Sequence, residues 1–480
     1  MAIASMIALH CLMDSQPVHA QKLDGMRLLP SGGTRGTEVS IELPGKFEAW
    51  PISIWSDSPE VIWTATETSG KVLARIAPEA RLGVHRVRFA NATSASPLLR
   101  WVVSDRSEVL EVEPNDDYRQ PQRLPSAELI VNGSLAKSGD ADHYAIARDP
   151  GQPITVSIDA QRSLRSPMDA CLQVLDARGN VLGQNLDTYG LDPRLPIRCP
   201  KEVVIIVRVF AFPETPDSTI GYAGGDRFFY RLHVRDGIVD EADGLLLDHA
   251  VAVAEPSSRE QPTLINGSGA WYGAIETPND EDVFQIETTQ AGHWKVRLRS
   301  LEFGSSLDGV LEILSSDNKR IAQQGDSGEI RDPTIVNTMK EPGVYRIAVR
   351  DLHGNFGATA RYRLELEQEQ PTVRGTVAND VFIGSIDKPI EIEVSIDRTF
   401  DCADEAQLIV VGLPEGFRAE PVISKTKEDS AKKVKPSVVA SKACSIPVRI
   451  ELKQIHGESQ ITSDVLATNA DARDLWLIVQ

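Results

Sequence analysis

The sequence predicts an all-β fold made of tandem β-sandwich domains. Three observations predict it. Apolar and polar residues alternate with period two in short runs such as Thr37-Glu-Val-Ser-Ile-Glu-Leu43 and Ile390-Glu-Ile-Glu-Val-Ser-Ile396, the pattern of a half-buried strand. Such runs recur at roughly 8–12 residue spacing with turn signals between them. The 34 Gly and 29 Pro, with few long helical patterns, favour short strands and many turns. A chain of 480 residues has room for about three or four domains, and a hydrophobic content of 41% is enough for ordinary cores.

Residues 1–20 are expected to be a signal peptide. Ala2 to Met13 is apolar apart from Ser5 and His10, and Pro-Val-His-Ala20 places small residues before Gln21. No Lys or Arg precedes the apolar run, and Asp14 follows it closely. The alternative is a disordered or buried N-terminal strand.

Residues 22–107 read as one sandwich. Leu28-Leu-Pro-Ser-Gly-Gly33 is a turn by composition. Strands are expected at 37–43, 61–64, 71–76, 84–89 and 98–103, and Ser104 to Val112 as a connector. Residues 108–236 form a second unit, with strands at 155–158, 171–175 and 203–209. The last is apolar over its first five residues and is expected to be buried on both faces. Residues 240–368 repeat the second unit. Asp280-Glu-Asp282-Val-Phe284 matches Asp140-Ala-Asp142-His-Tyr144, Asp332-Pro333 matches Asp192-Pro193, and Tyr362-Arg-Leu-Glu-Leu366 matches Tyr230-Arg-Leu-His-Val234. Residues 371–480 make a fourth unit, with strands at 390–396, 406–411, 448–452 and 475–479 and an exposed hairpin or loop from Lys425 to Lys435.

One acidic constellation stands out. Glu111-Val-Glu-Pro-Asn-Asp116 opens the second unit, and Gly139-Asp-Ala-Asp-His-Tyr144 follows. Asp140 and Asp142 are two residues apart, so an extended chain points both to one side. Folded together, the two clusters gather Glu111, Glu113, Asn115, Asp116, Asp140 and Asp142. This all-oxygen set suits a hard cation such as calcium. The third unit has only Glu255-Pro-Ser-Ser258 where the first cluster should be, so no cation is expected there.

The same residues carry a resemblance. E-x-E-P-N-D followed by G-D-x-D-x-[YF] resembles the bacterial pre-peptidase C-terminal domain, a small β-sandwich appended to secreted proteases and other exported proteins. The likeness continues through Met168 to Asn180 and closes on Tyr230-Arg-Leu-His-Val234. It implies two copies, 108–236 and a degenerate 240–368. The outer units, 22–107 and 371–480, resemble the immunoglobulin-like domains of exported bacterial proteins. In calcium-binding members of the family the acidic linker and the following aspartates are ligands, so the resemblance implies the same six residues. It implies little about activity, because the module accompanies many functions.

Catalytic signals are weak. Gly325-Asp-Ser-Gly328 spells a serine-protease nucleophile motif, but no Ala-Ala-His-Cys-like segment precedes it. By repeat alignment it falls in a loop equivalent to Asn185–Thr188, where Gly, Asp and Ser are turn residues. His85, His143 and His233 lie in strand-like stretches and are expected to be structural. Trp50, Trp55 and Trp63 could form a carbohydrate platform or, as alternating positions of a sandwich, its core and edge. Of five Cys, Cys171 with Cys199 and Cys402 with Cys444 fall two per unit, which suggests disulfides in an exported protein. The repeat positions of the first pair, Val310 and Met339, are apolar and equally suit buried thiols. A bridge is therefore expected first between Cys402 and Cys444.

The formal charge of −19 and a pI near 5.0 argue against a nucleic-acid partner, which needs a basic face. No later stretch reaches the roughly 18 apolar residues of a membrane helix. The expectation is an exported, non-catalytic binding or scaffold protein, secreted, periplasmic or at the cell surface, with a protein or polysaccharide ligand. The alternatives are a secreted hydrolase, peptidase or glycosidase, and an accessory subunit of one.

Overall fold

The structure, a computed structural model, describes residues 23, 26–47, 49–199, 201, 203–213, 221–238, 250–253, 257–301, 304–326, 332–357, 359–456, 459–469 and 472–480. The signal-peptide segment 1–20, Ser327, residues 214–220 of the Pro/Gly loop, and Glu255 and Pro256 lie outside them.

The period-two runs form strands, and these assemble into an all-β molecule whose first three units each pair two sheets and whose fourth has three. In the first sandwich the strands Glu38–Glu42, Lys71–Ile76 and Val61–Ala65 form one sheet. Gly32–Thr34, Leu99–Ser104, Gly83–Ala90 and Ser53–Ser56 form the other. Ile41, Val72, Val87, Phe89 and Trp101 fill the space between them. Gly32–Thr34 corrects the expected turn at 28–33. Its end is an edge strand paired parallel with Leu99–Ser104, which Gly-Gly disguises because glycine weakens the strand signal.

The second sandwich pairs two five-stranded sheets. One runs Arg194–Arg198, Pro153–Asp159, Phe229–Asp236, Leu129–Ser134, Glu108–Leu110; the other runs Val181–Asn185, Asp169–Leu175, Val204–Phe212, Asp142–Ala147, Gln122–Arg123. The expected connector 104–112 thus contains a strand, Glu108–Leu110, paired parallel with Leu129–Ser134. The third sandwich repeats this order strand for strand, from Thr334–Met339 through Gly292–Arg299, Arg361–Glu369 and Gly269–Ala274 to Val251–Ala252. Its second sheet does the same, from Arg320–Gln324 to Thr263–Ile265. The repeat reaches individual hydrogen bonds. Tyr230 O–H donates to Asp142 and Tyr362 O–H donates to Asp282. Asp140 accepts Ala136 N–H and Asp280 accepts Glu276 N–H. Asp192 takes the N–H groups of 160–162, and Asp332 those of 300 and 301.

The fourth unit has three sheets around one core of Val373, Ile390, Leu408, Ile450 and Leu477. Here the expected strand 390–396 is two pieces, Ile390–Glu391 and Val394–Arg398, in different sheets. Alternation persists through the break because both pieces face the same core. The segment 425–435 holds a short 3-10 turn at Asp429–Ala431 and a two-residue strand, Lys433–Val434.

The expected cysteine bridge is also corrected. Cys171, Cys199, Cys402 and Cys444 are all free thiols. Cys402 Sγ lies 3.4 Å from Gln454 Nε2. Cys444 starts the strand Cys444–His456 on which Gln454 lies. Ten residues of strand separate the two by about 33 Å, far beyond the reach of an S–S bond. Cys171 packs with Ala141 and Phe210 on the outer face of its sheet, while Cys199 sits in the inter-sheet core.

Candidate metal centre

The site begins where the strand Glu108–Leu110 ends. Glu111 N–H continues the ladder to Asn132 O at 3.0 Å. The chain then leaves the sheet through a cis peptide between Glu113 and Pro114. It passes over the end of the strand Asp142–Ala147, where Asn115 O accepts His143 N–H at 3.1 Å and contacts His143 Nδ1 at 3.0 Å. This lays the first acidic cluster directly on the second. Asp140 and Asp142 arrive from the turn before that strand and its first residue, as the i, i+2 spacing requires.

The carboxylates of Glu113, Asp116, Asp140 and Asp142 offer oxygens that all lie within 4.8 Å of one another. It is the one such group among the described residues. Asp140 and Asp142 are buried, whereas Glu113 and Asp116 are exposed, so the cluster has a closed floor and an open mouth. On the floor, each aspartate has one oxygen committed and one not. Asp140 Oδ2 accepts Ala136 N–H at 2.6 Å and Asp142 Oδ2 accepts Tyr230 O–H at 2.5 Å. Asp140 Oδ1, Asp142 Oδ1 and Asn115 Oδ1 are buried with no hydrogen-bond partner. Buried oxygens of this kind are costly unless something binds them.

Electrostatics point the same way. Two like charges about 5 Å apart repel by about 3 kcal/mol at an effective dielectric of 20. Lys137 Nζ, 3.4 Å from Asp116 Oδ2, is the neighbouring cation and is itself exposed. Burial, and then the Glu111 charge, push the Asp142 carboxyl up to about 10. Burial also raises Glu113 and Asp140, the latter assisted by Asp116. A divalent ion would remove this penalty and supply the missing partners of the two aspartates. The residues fit such an ion, and the cluster is able to hold one.

Glu111 has a different place from that expected of a ligand. Its Oε2 accepts Ser134 N–H at 2.9 Å, and its Oε1 accepts Tyr144 O–H at 2.9 Å and an Asn115 N–H at 3.2 Å. It orients Asn115, turning the amide oxygen away from Glu111. Tyr144 and Tyr230, whose hydroxyl oxygens lie 2.6 Å apart, are supporting residues that a search for ligand types passes over. The signal for Tyr230 is its repetition as Tyr362.

In the third sandwich the floor survives, and among the described residues no further carboxylates gather on it. Asp280 and Asp282 are in place, but Ser257 occupies the position of Asn115, its Oγ accepting Val283 N–H at 3.0 Å and donating to Val283 O at 2.9 Å.

The remaining candidates are structural. His85 Nε2 is 2.7 Å from Arg81 O, and His233 Nδ1 is 2.7 Å from Arg106 Nη2. The three tryptophans are dispersed: Trp63 meets Trp101 and Phe89 edge-on, Trp50 meets Phe47, and Trp55 packs near Trp476. Gly325 and Asp326 precede the undescribed Ser327 at the end of the strand Arg320–Gln324.

No family model and no curated protein matches the sequence. Among solved structures, the chain is similar to the pre-peptidase C-terminal domain of collagenase from Bacillus anthracis. The identity is 13%, over 24% of this chain and 100% of that one, with a TM-score of 0.20. It is similar to elastase-activated alpha-2-macroglobulin from Escherichia coli at 9% identity, over 94% of this chain and 43% of that one, TM-score 0.16. It is also similar to the M60 catalytic domain with two CBM51 domains of Clostridium perfringens ZmpB at 8% identity, over 72% and 54%, TM-score 0.15. At such scores the likeness carries no argument about function, and the reading of this chain rests on its own residues.

Proposed function

We propose that this is an exported, non-catalytic binding or scaffold protein whose second sandwich is stabilised by a calcium ion. The observation that carries the cation is the convergence of carboxylate oxygens of Glu113, Asp116, Asp140 and Asp142 within 4.8 Å of one another, with Asp140 Oδ1 and Asp142 Oδ1 buried and without a hydrogen-bond partner. Calcium suits the site because it accepts about 6–8 oxygens in flexible geometry. Five side chains, some bidentate, together with water entering at the open mouth, supply that number. Magnesium demands a stricter octahedron of about six ligands and keeps its waters. Binding to the folded state alone adds stability, about 2.7 kcal/mol at a hundredfold excess over Kd. In chelator-stripped protein, millimolar calcium is therefore expected to raise Tm, and magnesium to raise it less. Asp116→Ala removes an exposed ligand that is paired with the exposed Lys137. It is expected to abolish the rise while leaving the metal-free Tm within about a degree of the parent. An unchanged Tm in calcium would sink the proposal.

The non-catalytic part rests on the motifs. No Ala-Ala-His-Cys-like segment precedes the Gly325-Asp-Ser-Gly328 motif in the sequence, and His85, His143 and His233 are buried in strands. Purified protein is expected to leave casein intact. Cleavage that disappears in Ser327→Ala would establish a peptidase instead.

A further inference from the structure

The strand Leu475–Val479 is buried at every position. Leu475, Leu477 and Val479 face the core of the fourth unit. The alternate residues, Trp476 and Ile478, face outward and should meet water. They are instead 4% and 0% exposed, packed with Ala90, Trp55 and Ala95 of the first sandwich. The first sandwich shows the mirror pattern. On the strand Gly83–Ala90, Val87 and Phe89 enter its own core, while Arg88 and Ala90 face the fourth unit. Arg88 is 1% exposed. Its Nη2 donates to Asp380 Oδ2, its Nη1 approaches Asp380 O at 3.5 Å, and its guanidinium lies 5.8 Å from the Trp476 ring centroid. Asp380 is held in turn by Asn469 Nδ2 at 2.8 Å, and its carbonyl accepts Trp476 N–H at 2.7 Å. A buried guanidinium and carboxylate, paired with each other across 292 residues of chain, with an indole laid over them, make a specific joint.

The other joints run in sequence. Arg231 of the second sandwich donates to Val102 O of the first at 3.2 Å. Asn185 and Thr188 of the second line a cavity of about 550 Å³ with Ser305, Ser306 and Asp308 of the third. His293 of the third stacks on Phe400 of the fourth at 3.8 Å.

We infer that the first and fourth sandwiches clasp each other within one chain and close the four sandwiches into a ring. The partner surfaces are complementary: Arg88 with Ala90 and Trp55 on one side, Asp380 with Trp476 and Ile478 on the other. The clasp holds the two halves of the chain together without the connector between the second and third sandwiches, and it holds the crevice between those sandwiches at a set width.

The test uses the full chain with a site-specific protease sequence inserted within residues 239–249 and cut after folding. The halves are expected to co-elute in gel filtration at the mass of the uncut chain. Arg88→Glu and Asp380→Arg are each expected to separate them, and the swap Arg88→Asp with Asp380→Arg to restore co-elution. Small-angle scattering of the uncut, unsubstituted protein reads the same point should a variant fail to fold. With each sandwich near 13 Å in radius of gyration, a ring of four gives about 27 Å and an open string about 40 Å. Halves that part without substitution, halves that stay together in both single reversals, a double-mass species, or a string-like radius would each overturn the clasp.

Discussion

Asp192 shows how a single buried carboxylate sets a pH response. It is fully buried and accepts N–H groups from Ala160, Gln161 and Arg162, which open the short helix Gln161–Leu164. Burial, and then the Asp159 charge, outweigh those bonds and push its carboxyl up to about 6. A raised carboxyl binds its proton more tightly folded than unfolded. Its favourable contribution is therefore present below about pH 4 and is lost as pH rises through about 6. The gap between the unfolded and folded values is worth about 3 kcal/mol. Asp192→Asn keeps one accepting oxygen and has no proton to lose. The parent is expected to lose about 3 kcal/mol relative to that variant between about pH 4 and 7, read from urea unfolding at each pH. Parallel stability profiles would contradict it. At the residue scale the sequence is legible where spacing carries direction. Asp140 and Asp142 converge because i and i+2 share a side. Glu111 is not legible in this way, because a carboxylate that organises a site and one that lines it look alike until their hydrogen bonds are seen.

Elements are legible where one face is buried and the other is not. The strands 71–76, 406–411 and 475–479 lie where alternation or a closed apolar run places them. Gly32–Thr34 escapes because its glycines carry no side-chain signal, and 390–396 because alternation continues across a change of sheet. The repeat is legible in full, since Tyr362 and Asp282 are held to each other as Tyr230 and Asp142 are. Cysteine pairing is not legible, for a reason of scale: the count of residues between two cysteines is silent about which ends of a sandwich they occupy. The free thiols lead to a direct expectation. Burial pushes the Cys171 thiol up to about 12 and raises Cys402 and Cys444 as well, so little thiolate exists at neutral pH to react. Iodoacetamide is expected to spare these cysteines in folded protein. After unfolding without reductant it is expected to modify Cys171, Cys199, Cys402 and Cys444 alike. A mapped bridge between any two would refute this.

At the scale of the whole molecule, the number of sandwiches can be counted along the chain, but how they join cannot be read there. Joints are made by isolated residues such as Arg88, Asp380 and Arg231, and nothing periodic marks these out among 119 charged side chains. The joint between the first two sandwiches is the most fully bonded. Arg231 is buried and donates to Glu108 Oε1 at 2.7 Å; Glu108 Oε2 accepts Asn132 Nδ2 at 2.7 Å; Asn132 Oδ1 accepts Ser31 N–H and O–H at 3.1 and 3.0 Å. The fit is tight, since a Cβ on Gly32 would fall 1.4 Å from Arg231 Nη1. Such a network is rigid while complete and costly when broken, because it leaves a buried charge alone. Arg231→Met strips Glu108 of its cation and is expected to cost about 3–5 kcal/mol. Where that loss is felt distinguishes one folding unit from two. The second sandwich contains no tryptophan, whereas the first contains Trp50, Trp55, Trp63 and Trp101, the last donating to Pro30 O at 3.1 Å beside Ser31. If the joint makes the two sandwiches one cooperative unit, a substitution in the tryptophan-free partner must lower the transition seen by tryptophan fluorescence, to which the first sandwich contributes four of the seven tryptophans, as well as the one seen by far-ultraviolet circular dichroism. If each sandwich unfolds alone, circular dichroism alone will shift and the fluorescence midpoint will stay where it was. The closed hydrogen-bond network from Ser31 to Arg231 argues for the first outcome, with both midpoints moving together.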